Sequence, residues 1–389
     1  MLLWVFFRQH VYRPDEVYLL AGDEVVATNA GKHTPGLDRF FASLDGQPVP
    51  GRAFFTWSLV STQQRRSFPS RVEQIVRSAA EKAASKAKAD AKKQTPAPAK
   101  RRPGRPKGRQ NTPNADVPLT PEVWRITGML DALLQLIAGV LPLTSWLLDG
   151  HCGHHNALQR ARQSHLPRMS KRRCDAALYL PYTGPDAGRG PHRTYGRKRD
   201  DHPMPEKYLK ETTVEGQIHT RVYQAQLRHR EFAQPLNVVL IVKTNLVTTN
   251  LHTLAQAPAI LFSSDLILAY TSLVDSYGLR FQIECNFRDA KQSWGLEDFM
   301  HVSPTGVTNA ANLSLCMVNV AARLQAHARP RDPDDSLLDW KADCRGYKYV
   351  EETIKLLPEK PEPVLLGQIL HKVAGLGQIH VSQPSFSFL

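Results

Sequence analysis

A helical pattern that leads directly into an apolar run and an acidic residue constrains the fold of this chain more than any other feature. Residues 122–141, EVWRITGMLDALLQLIAGVL, have the apolar spacing of a long amphipathic helix, and Pro142 ends it. The next residues, LTSWLLDG, form a short apolar run that ends in Asp149. Helix, buried strand and acid in this order are typical of an α/β sheet that presents a carboxylate at the carboxyl ends of its strands. We therefore predict an α/β fold.

The rest of the chain divides into segments of distinct character. Short apolar runs and Gly or Pro turns predict strands in the first sixty residues, and residues 176–250 also have the pattern of β-structure. Residues 71–93 and 157–172 have helical patterns. The predicted segments are 1–61, the first strands; 62–118, a basic helix and linker; 119–175, the helix, strand and Asp149; 176–255, a β-rich segment; 256–340, two long helices; and 341–389, a C-terminal tail.

Positive charge is concentrated in one segment. The chain has a formal net charge of +14. Residues 82–109 contain eleven Lys or Arg and one acid, Asp90, so this segment supplies most of the excess. Such a run indicates a polyanionic partner, and nucleic acid is favoured over a membrane surface because no apolar face accompanies the charges.

Cysteine content and hydropathy exclude several classes of protein. Five scattered cysteines without a CxxC pair support neither a disulfide framework nor a zinc ribbon. The longest uncharged runs, such as residues 302–322, are interrupted by several Asn, Ser and Thr residues, so no membrane-spanning segment is predicted, and the apolar N-terminus is too short for a signal sequence. We expect a cytoplasmic protein without a membrane partner, associated with the nucleoid through DNA.

One helical stretch, YGLRFQIECNFRDAK (277–291), carries four functional groups on one face. Tyr277, Arg280, Glu284 and Lys291 fall within a stripe about 60° wide at about 100° per residue. A surface helix with an i,i+4 ion pair between Arg280 and Glu284 would be the plainer explanation. The complete set of four groups favours a functional face.

Three acidic residues are candidates for a metal site. Asp23 and Asp149 follow apolar runs, and Glu284 lies on the helix just described. Two strand-end aspartates and a helix glutamate supply the hard oxygen ligands that a pair of Mg²⁺ ions needs for phosphoryl transfer on DNA. Arg280 and Lys291 would then hold phosphates beside the metal, and Tyr277 would stack on or hydrogen-bond to the strand end.

These motifs resemble a known family. Tyr277, Arg280, Glu284 and Lys291 satisfy the pattern Y-x2-R-x3-E-x6-K, and LAGDEVVATNAGKHTPGLDRFFASL and WLLDGHCGHHNAL resemble the regions around two catalytic aspartates. The chain resembles DDE-type insertion-sequence transposases of the insertion sequence four family, with Asp23, Asp149 and Glu284 as the catalytic triad. The resemblance covers residues 10 to about 325.

The resemblance carries several expectations. It implies an RNase H-like domain, a mixed sheet with flanking helices, which carries a β-rich insertion between Asp149 and Glu284. It also implies cut-and-paste transposition with two Mg²⁺ or Mn²⁺ ions per site, double-stranded DNA at transposon ends and target, and a homodimer in the active complex. Family members usually carry a helical region before the first aspartate, and only 22 residues precede Asp23 here, so the chain is expected to be N-terminally truncated.

The basic segment contains a second motif. In KRRPGRPKGRQ, Arg102, Gly104, Arg105, Pro106 and Lys107 resemble the core of an AT-hook, in which an extended GRP run enters the narrow minor groove of A·T DNA. Binding of phosphates without regard to sequence by a basic tether is the alternative.

Other functions remain open. A catalytically defective, truncated relative that binds DNA and acts as a regulator is the main alternative. An RNase H-like nuclease of repair or RNA processing would use similar carboxylates but show no strand transfer. Asp265 is interpreted as a helix N-cap rather than a metal ligand. The cluster HCGHH (151–155) is too compact for the usual spaced zinc ligands.

Overall fold

The computed structural model describes residues 1–28, 33–42, 45–94, 120–148, 166–185, 188, 192–199, 204–230, 232, 234–245, 258–328 and 336–377. Asp149, the cluster 151–155 and the AT-hook-like residues Arg102, Gly104, Arg105, Pro106 and Lys107 lie outside these ranges, so their predicted roles stay predictions.

Strands dominate the described part of the chain. They are β1 (Tyr18–Thr28), β2 (Asp38–Ala42), β3 (Gln47–Ser61), β4 (Arg66–Ile75), β5 (Leu143–Leu148), β6 (Arg168–Arg172), β7 (Leu178–Pro181), β8 (Tyr195–Lys198), β9 (Leu209–Glu215), β10 (Ile218–His229), β11 (Leu236–Asn245) and β12 (Ala259–Ser263).

Helices precede, separate and follow the strands. They are α1 (Leu2–Phe6), which continues into a π-helical turn (Phe7–Val11), α2 (Ala79–Gln94), α3 (Pro121–Ile137), α4 (Tyr270–Leu279), α5 (Phe281–Trp294), α6 (Pro304–Ala328), α7 (Leu337–Lys355) and α8 (Pro363–Ala374). In the described ranges, none of these helices combines the length and the apolar character needed to span a membrane.

The strands form one mixed sheet. Its order is β2-β3-β1-β5-β6-β12-β11-β10-β7-β8, with β4 also paired to β3 and β9 to β10. β1 is antiparallel to β3 and parallel to β5, and β5 is parallel to β6. A large mixed sheet with flanking helices is compatible with the predicted RNase H-like fold.

The two faces of the sheet bury different cores because alternate residues of a strand point to opposite sides. On β1, Leu19, Ala21, Val25 and Ala27 pack with α4, α5 and α6. Tyr18 and Leu20 face the other way and pack with α3 and the N-terminal helical turns. Trp146 of β5 is 1% exposed and stacks on Trp57 at 6.0 Å between ring centroids.

The helix predicted over residues 71–93 is present over residues 79–94 as α2, but this prediction and that for residues 157–172 are wrong where sheet pairing decides the backbone. Residues 71–75 belong to β4, which extends the first sheet region beyond residue 61, and residues 168–172 form β6. Val72 and Ile75 have helical spacing in the sequence, but their backbone pairs with β3. Strand propensity depends strongly on such tertiary partners.

Two further details differ from the predictions. The stretch 277–291 is divided between α4 and α5, because the backbone tightens at Arg280, whose N–H donates to the carbonyl of Tyr277. Asp265 does not cap a helix, since α4 begins at Tyr270 with Ala269 at its N-cap position. Its Oδ1 instead accepts from the N–H of Ile267 at 3.0 Å and closes a turn.

Candidate active site

β1 carries Asp23 to the level at which β5 ends. In the parallel pair, Gly22 lies opposite Leu148, the last described residue of β5, and Asp149 follows Leu148 in the chain. Asp23 pairs with Thr56 of β3 on the other side. The side chain of Asp23 is 21% exposed, so this carboxylate is accessible at the surface of the sheet.

α5 brings Glu284 to the same place. Ile283, Phe287 and Ala290, spaced by four and three residues, are buried against the sheet and fix the orientation of the helix. Buried Asn286 donates through Nδ2 to the carbonyl and the hydroxyl of Ser67 in β4, at 3.1 and 2.9 Å. Glu284 lies beside this buried stripe and is exposed.

Arg280 joins the two carboxylates. Its Nη1 donates to Asp23 Oδ2 at 2.6 Å, and its Nη2 donates to Glu284 Oε1 at 2.8 Å. Its side chain is only 13% exposed, and its guanidinium carbon lies 5.9 Å from the ring centroid of Tyr277. The simple i,i+4 pair considered from the sequence is therefore present, but the arginine also reaches a residue 257 positions away.

Lys291 contacts β1 near its C-terminal end. Its Nζ donates to the carbonyl of Val26 at 2.6 Å and forms an ion pair with Glu297 Oε1 at 2.9 Å. Glu297 also accepts from the backbone N–H of Thr28 at 3.0 Å and from the Thr28 hydroxyl at 3.3 Å. Lys291 and Glu297 together attach the C-terminal end of β1 to α5 and the loop after it.

The pKa of Glu297 reflects these contacts. Burial by itself raises the pKa of this carboxyl, but the hydrogen bonds from Lys291 and from the Thr28 backbone outweigh it, and the net shift is downward. Glu297 was missed in the sequence because no local pattern marks it. It follows the left-handed Gly295 that ends α5, and only the tertiary fold brings it to Thr28.

The predicted site residues are thus brought together in part. Asp23, Glu284, Arg280 and Tyr277 form one cluster, and Lys291 lies nearby at the end of β1. Carboxylates are suitable ligands for Mg²⁺ or Mn²⁺. Within the described ranges no group of three or more His, Cys, Asp or Glu side chains is arranged to hold a metal ion, and Asp149, the third predicted ligand, lies outside them.

Comparison with known proteins adds one finding. A family described as DDE superfamily endonuclease matches residues 3–233. The match includes Asp23 and the position of Asp149 and ends before the helices that carry Tyr277, Arg280, Glu284 and Lys291. No curated protein matches the chain.

Proposed function

Because the chain belongs to the DDE superfamily endonuclease family, we propose that it is a transposase of the insertion-sequence type, which cleaves DNA at the ends of its element and joins them to target DNA. The observation that carries the proposal is the arginine bridge between Asp23 and Glu284. Two acids of a predicted triad, far apart in sequence, lie within hydrogen-bond distance of one guanidinium.

Asp149 completes the proposed triad. Asp149 follows Leu148 in the chain, and Leu148 pairs with Gly22, the neighbour of Asp23. In this proposal Asp23, Asp149 and Glu284 would hold two Mg²⁺ or Mn²⁺ ions, which activate the attacking oxygen and stabilise the leaving oxygen.

The remaining residues of the cluster position the reacting strand. Arg280 carries a fixed positive charge beside both carboxylates. Once metal ions bind those carboxylates, its guanidinium would be available to hold a phosphate of the DNA. Tyr277 places its ring next to that guanidinium and would contact the end of the strand. In the first step water attacks a phosphodiester and the 3′-oxygen leaves as a hydroxyl. In the second step that hydroxyl attacks a phosphodiester of the target, and the target's own 3′-oxygen leaves as a hydroxyl.

Several finer features belong to the same proposal. The strands β7 to β11 would form the β-rich insertion between Asp149 and Glu284, within the segment boundaries predicted from the sequence. Two copies of the chain would act together on two DNA ends. The relationship to the insertion sequence four family rests on the four signature positions and on the two aspartate regions.

Substitution of the carboxylates tests the function. The purified chain is incubated with Mg²⁺ or Mn²⁺ and a DNA fragment that carries the sequences flanking its own coding region. We expect Asp23→Asn and Glu284→Gln to lower the rate of strand cleavage at least about 10³-fold, since each removes a metal ligand, while DNA binding persists. Asp289→Asn, on the same helix but paired with Arg288, is the matched control and should keep its activity.

The outcomes separate the proposed function from its rivals. If the Glu284→Gln variant cleaved DNA at the wild-type rate, the proposed transposase function would be wrong. A wild-type chain that binds DNA and never cleaves it would establish the regulator instead. Cleavage without end specificity or strand transfer would identify a nuclease of the repair or RNA-processing type.

A further inference from the structure

A second concentration of positive charge lies away from the carboxylates. Residues 166–199 contain nine Lys or Arg against two acidic residues. This part of the chain supplies β6, which is separated from β1 only by β5, and also β7 and β8, which lie at the edge of the sheet farthest from β1 in the β6 direction. None of these cations takes part in the site proposed above.

Because side chains alternate along a strand, several cationic and aromatic side chains of β7, β8 and β10 lie on the same face of the sheet. On β7, Leu178 and Leu180 pack into a core with β10 and β11, so Tyr179 between them points to the opposite face. Tyr179 pairs with Arg228 of β10 on one side and with Lys198 of β8 on the other. Paired residues share a face, and these two cations therefore flank the tyrosine ring.

Tyrosine rings hold two further arginines on this surface. The guanidinium carbon of Arg230 lies 5.2 Å from the ring centroid of Tyr179, and that of Arg193 lies 4.9 Å from the ring centroid of Tyr182. Arg193 Nε also donates to the carbonyl of Tyr195 at 3.3 Å. The rings of Tyr179 and Tyr195 meet edge to face at 5.4 Å. Such contacts restrict the arginines before any ligand arrives.

The acidic residues described in this region pair with other arginines. Ion pairs in this region join Arg173 to Asp175 and Arg221 to Glu206. Among the residues that the structure describes, no carboxylate lies within ion-pair distance of Arg193, Arg228 or Arg230. Guanidinium groups that have no acidic partner among the described residues complement a polyanion.

We propose that this surface, formed by Tyr179, Tyr182, Arg193, Tyr195, Arg228 and Arg230 and here termed the arginine–tyrosine surface, binds the phosphate backbone of double-stranded DNA. The inference rests on the proposed function for its choice of DNA. Phosphate contact is favoured over base stacking because the three tyrosines are half-buried and guanidinium groups lie over two of them. The arginine–tyrosine surface would give the duplex a second contact, separate from the proposed active site.

The test measures the salt dependence of DNA binding by the full chain in EDTA, so that cleavage plays no part. Fluorescence anisotropy with a labelled duplex of about 30 base pairs compares wild type with the triple variant Arg193→Gln, Arg228→Gln, Arg230→Gln. Each lost phosphate contact lowers the slope of log K against log salt by about 0.9, so we expect a decrease of about 2 to 3 and at least about tenfold weaker binding. The matched control, Arg345→Gln, Lys348→Gln, Lys372→Gln, removes the same charge from exposed positions on α7 and α8.

Two further comparisons make the result decisive. Replacing the same three arginines with lysine retains the charge and should retain most of the salt slope. Equal thermal midpoints of wild type and the glutamine variant would show that the variant is folded. The proposal is overturned if the glutamine variant binds duplex as the control does, if only a single-stranded oligonucleotide loses affinity, or if only binding of polyglutamate is weakened. A wild-type chain that binds duplex through this surface but never cleaves DNA would refute the proposed function alone.

Discussion

At the scale of single residues, two pairs of side chains connect the signature stretch to β1. Arg280 and Glu284 meet Asp23 in the middle of β1, whereas Lys291 meets Glu297 and the backbone at the end of β1. Both pairs connect α5 to the same strand. The geometry of the candidate site therefore depends on how α5 lies along β1.

Arg280 is expected to compete with divalent cations for the carboxylates. Arg280→Gln leaves Asp23 and Glu284 without their shared partner, so the free energy of unfolding in EDTA should fall by about 1 kcal/mol. Because the variant has no guanidinium to displace, Mg²⁺ or Mn²⁺ should raise its thermal midpoint more than that of wild type. Differential scanning fluorimetry measures both effects.

The control for this prediction is Arg288→Gln, on the same helix and paired only with the neighbouring Asp289 among the interactions described. It should respond to the metal as wild type does. An equal metal-induced shift in Arg280→Gln and wild type would show that the arginine and the cation do not compete.

Glu297 should make stability depend on pH in the acidic range. Its pKa in the folded chain is below the ordinary value of 4.5, so the charged form stabilises the fold above that value. This contribution is lost as the pH falls through the lowered pKa. The difference in unfolding free energy between wild type and Glu297→Gln should therefore be full at pH 7 and shrink below about pH 4.5. Urea unfolding at several pH values measures it, and a difference independent of pH would contradict the assignment.

At the scale of elements, β1 is held by close packing as well as by ion pairs. Gly22, next to Asp23, lies directly against the buried rings of Phe55 and Trp57. A Cβ atom at this position would lie 2.7 Å from Trp57 and 2.8 Å from Phe55. Trp57 is in turn stacked on Trp146 of β5, so the strand beside the site has no room to move on this face.

Gly22→Ala is therefore expected to destabilise the fold by about 1–3 kcal/mol through overpacking. It should also shift Asp23 relative to Arg280. Chemical denaturation measures the loss of stability. Gly128→Ala in α3 is the matched control, because a Cβ there meets nothing within 4 Å and alanine favours the helix. If both variants were equally stable, the tight packing of β1 would not contribute to the site.

At the scale of the whole molecule, positive charge is concentrated in two segments of the chain. The segments 82–109 and 166–199 hold much of the positive charge of the chain. The acids of the proposed triad belong to other segments. A duplex bound by this chain would be held largely through its phosphates. The affinity of the chain for DNA should then fall steeply as the salt concentration rises.

The AT-hook-like motif makes a separate prediction. Arg102→Gln, Arg105→Gln, Lys107→Gln should weaken binding to an A·T-rich duplex more than to a G·C-rich one, because the GRP core fits the narrow minor groove of A·T DNA. Competitive anisotropy measurements with the two duplexes test this. Equal loss on both would instead indicate a basic tether that binds phosphates without regard to sequence, and the triple variant of α7 and α8 controls for charge.

Local patterns predicted much of the architecture. α3, β5, the strands after Ala176 and the buried α6 follow from periodicity and from Gly and Pro positions. β4 and β6 were mispredicted because their residues take part in pairing with β3, β5 and β12, and such partners leave no trace in a short window of sequence. The break at Arg280 was missed for a related reason, since helical propensity continues across it.

The sequence by itself determined which groups are available: the helix face with Tyr277, Arg280, Glu284 and Lys291, the acids after apolar runs, and the basic segment. These depend on residue type and on spacing along a single element. Only the tertiary structure decided that Arg280 reaches Asp23, that Lys291 contacts Glu297, and that Arg193, Arg228 and Arg230 share one surface with tyrosine rings. Those contacts join residues from separate elements, and strand register and helix packing set their distances.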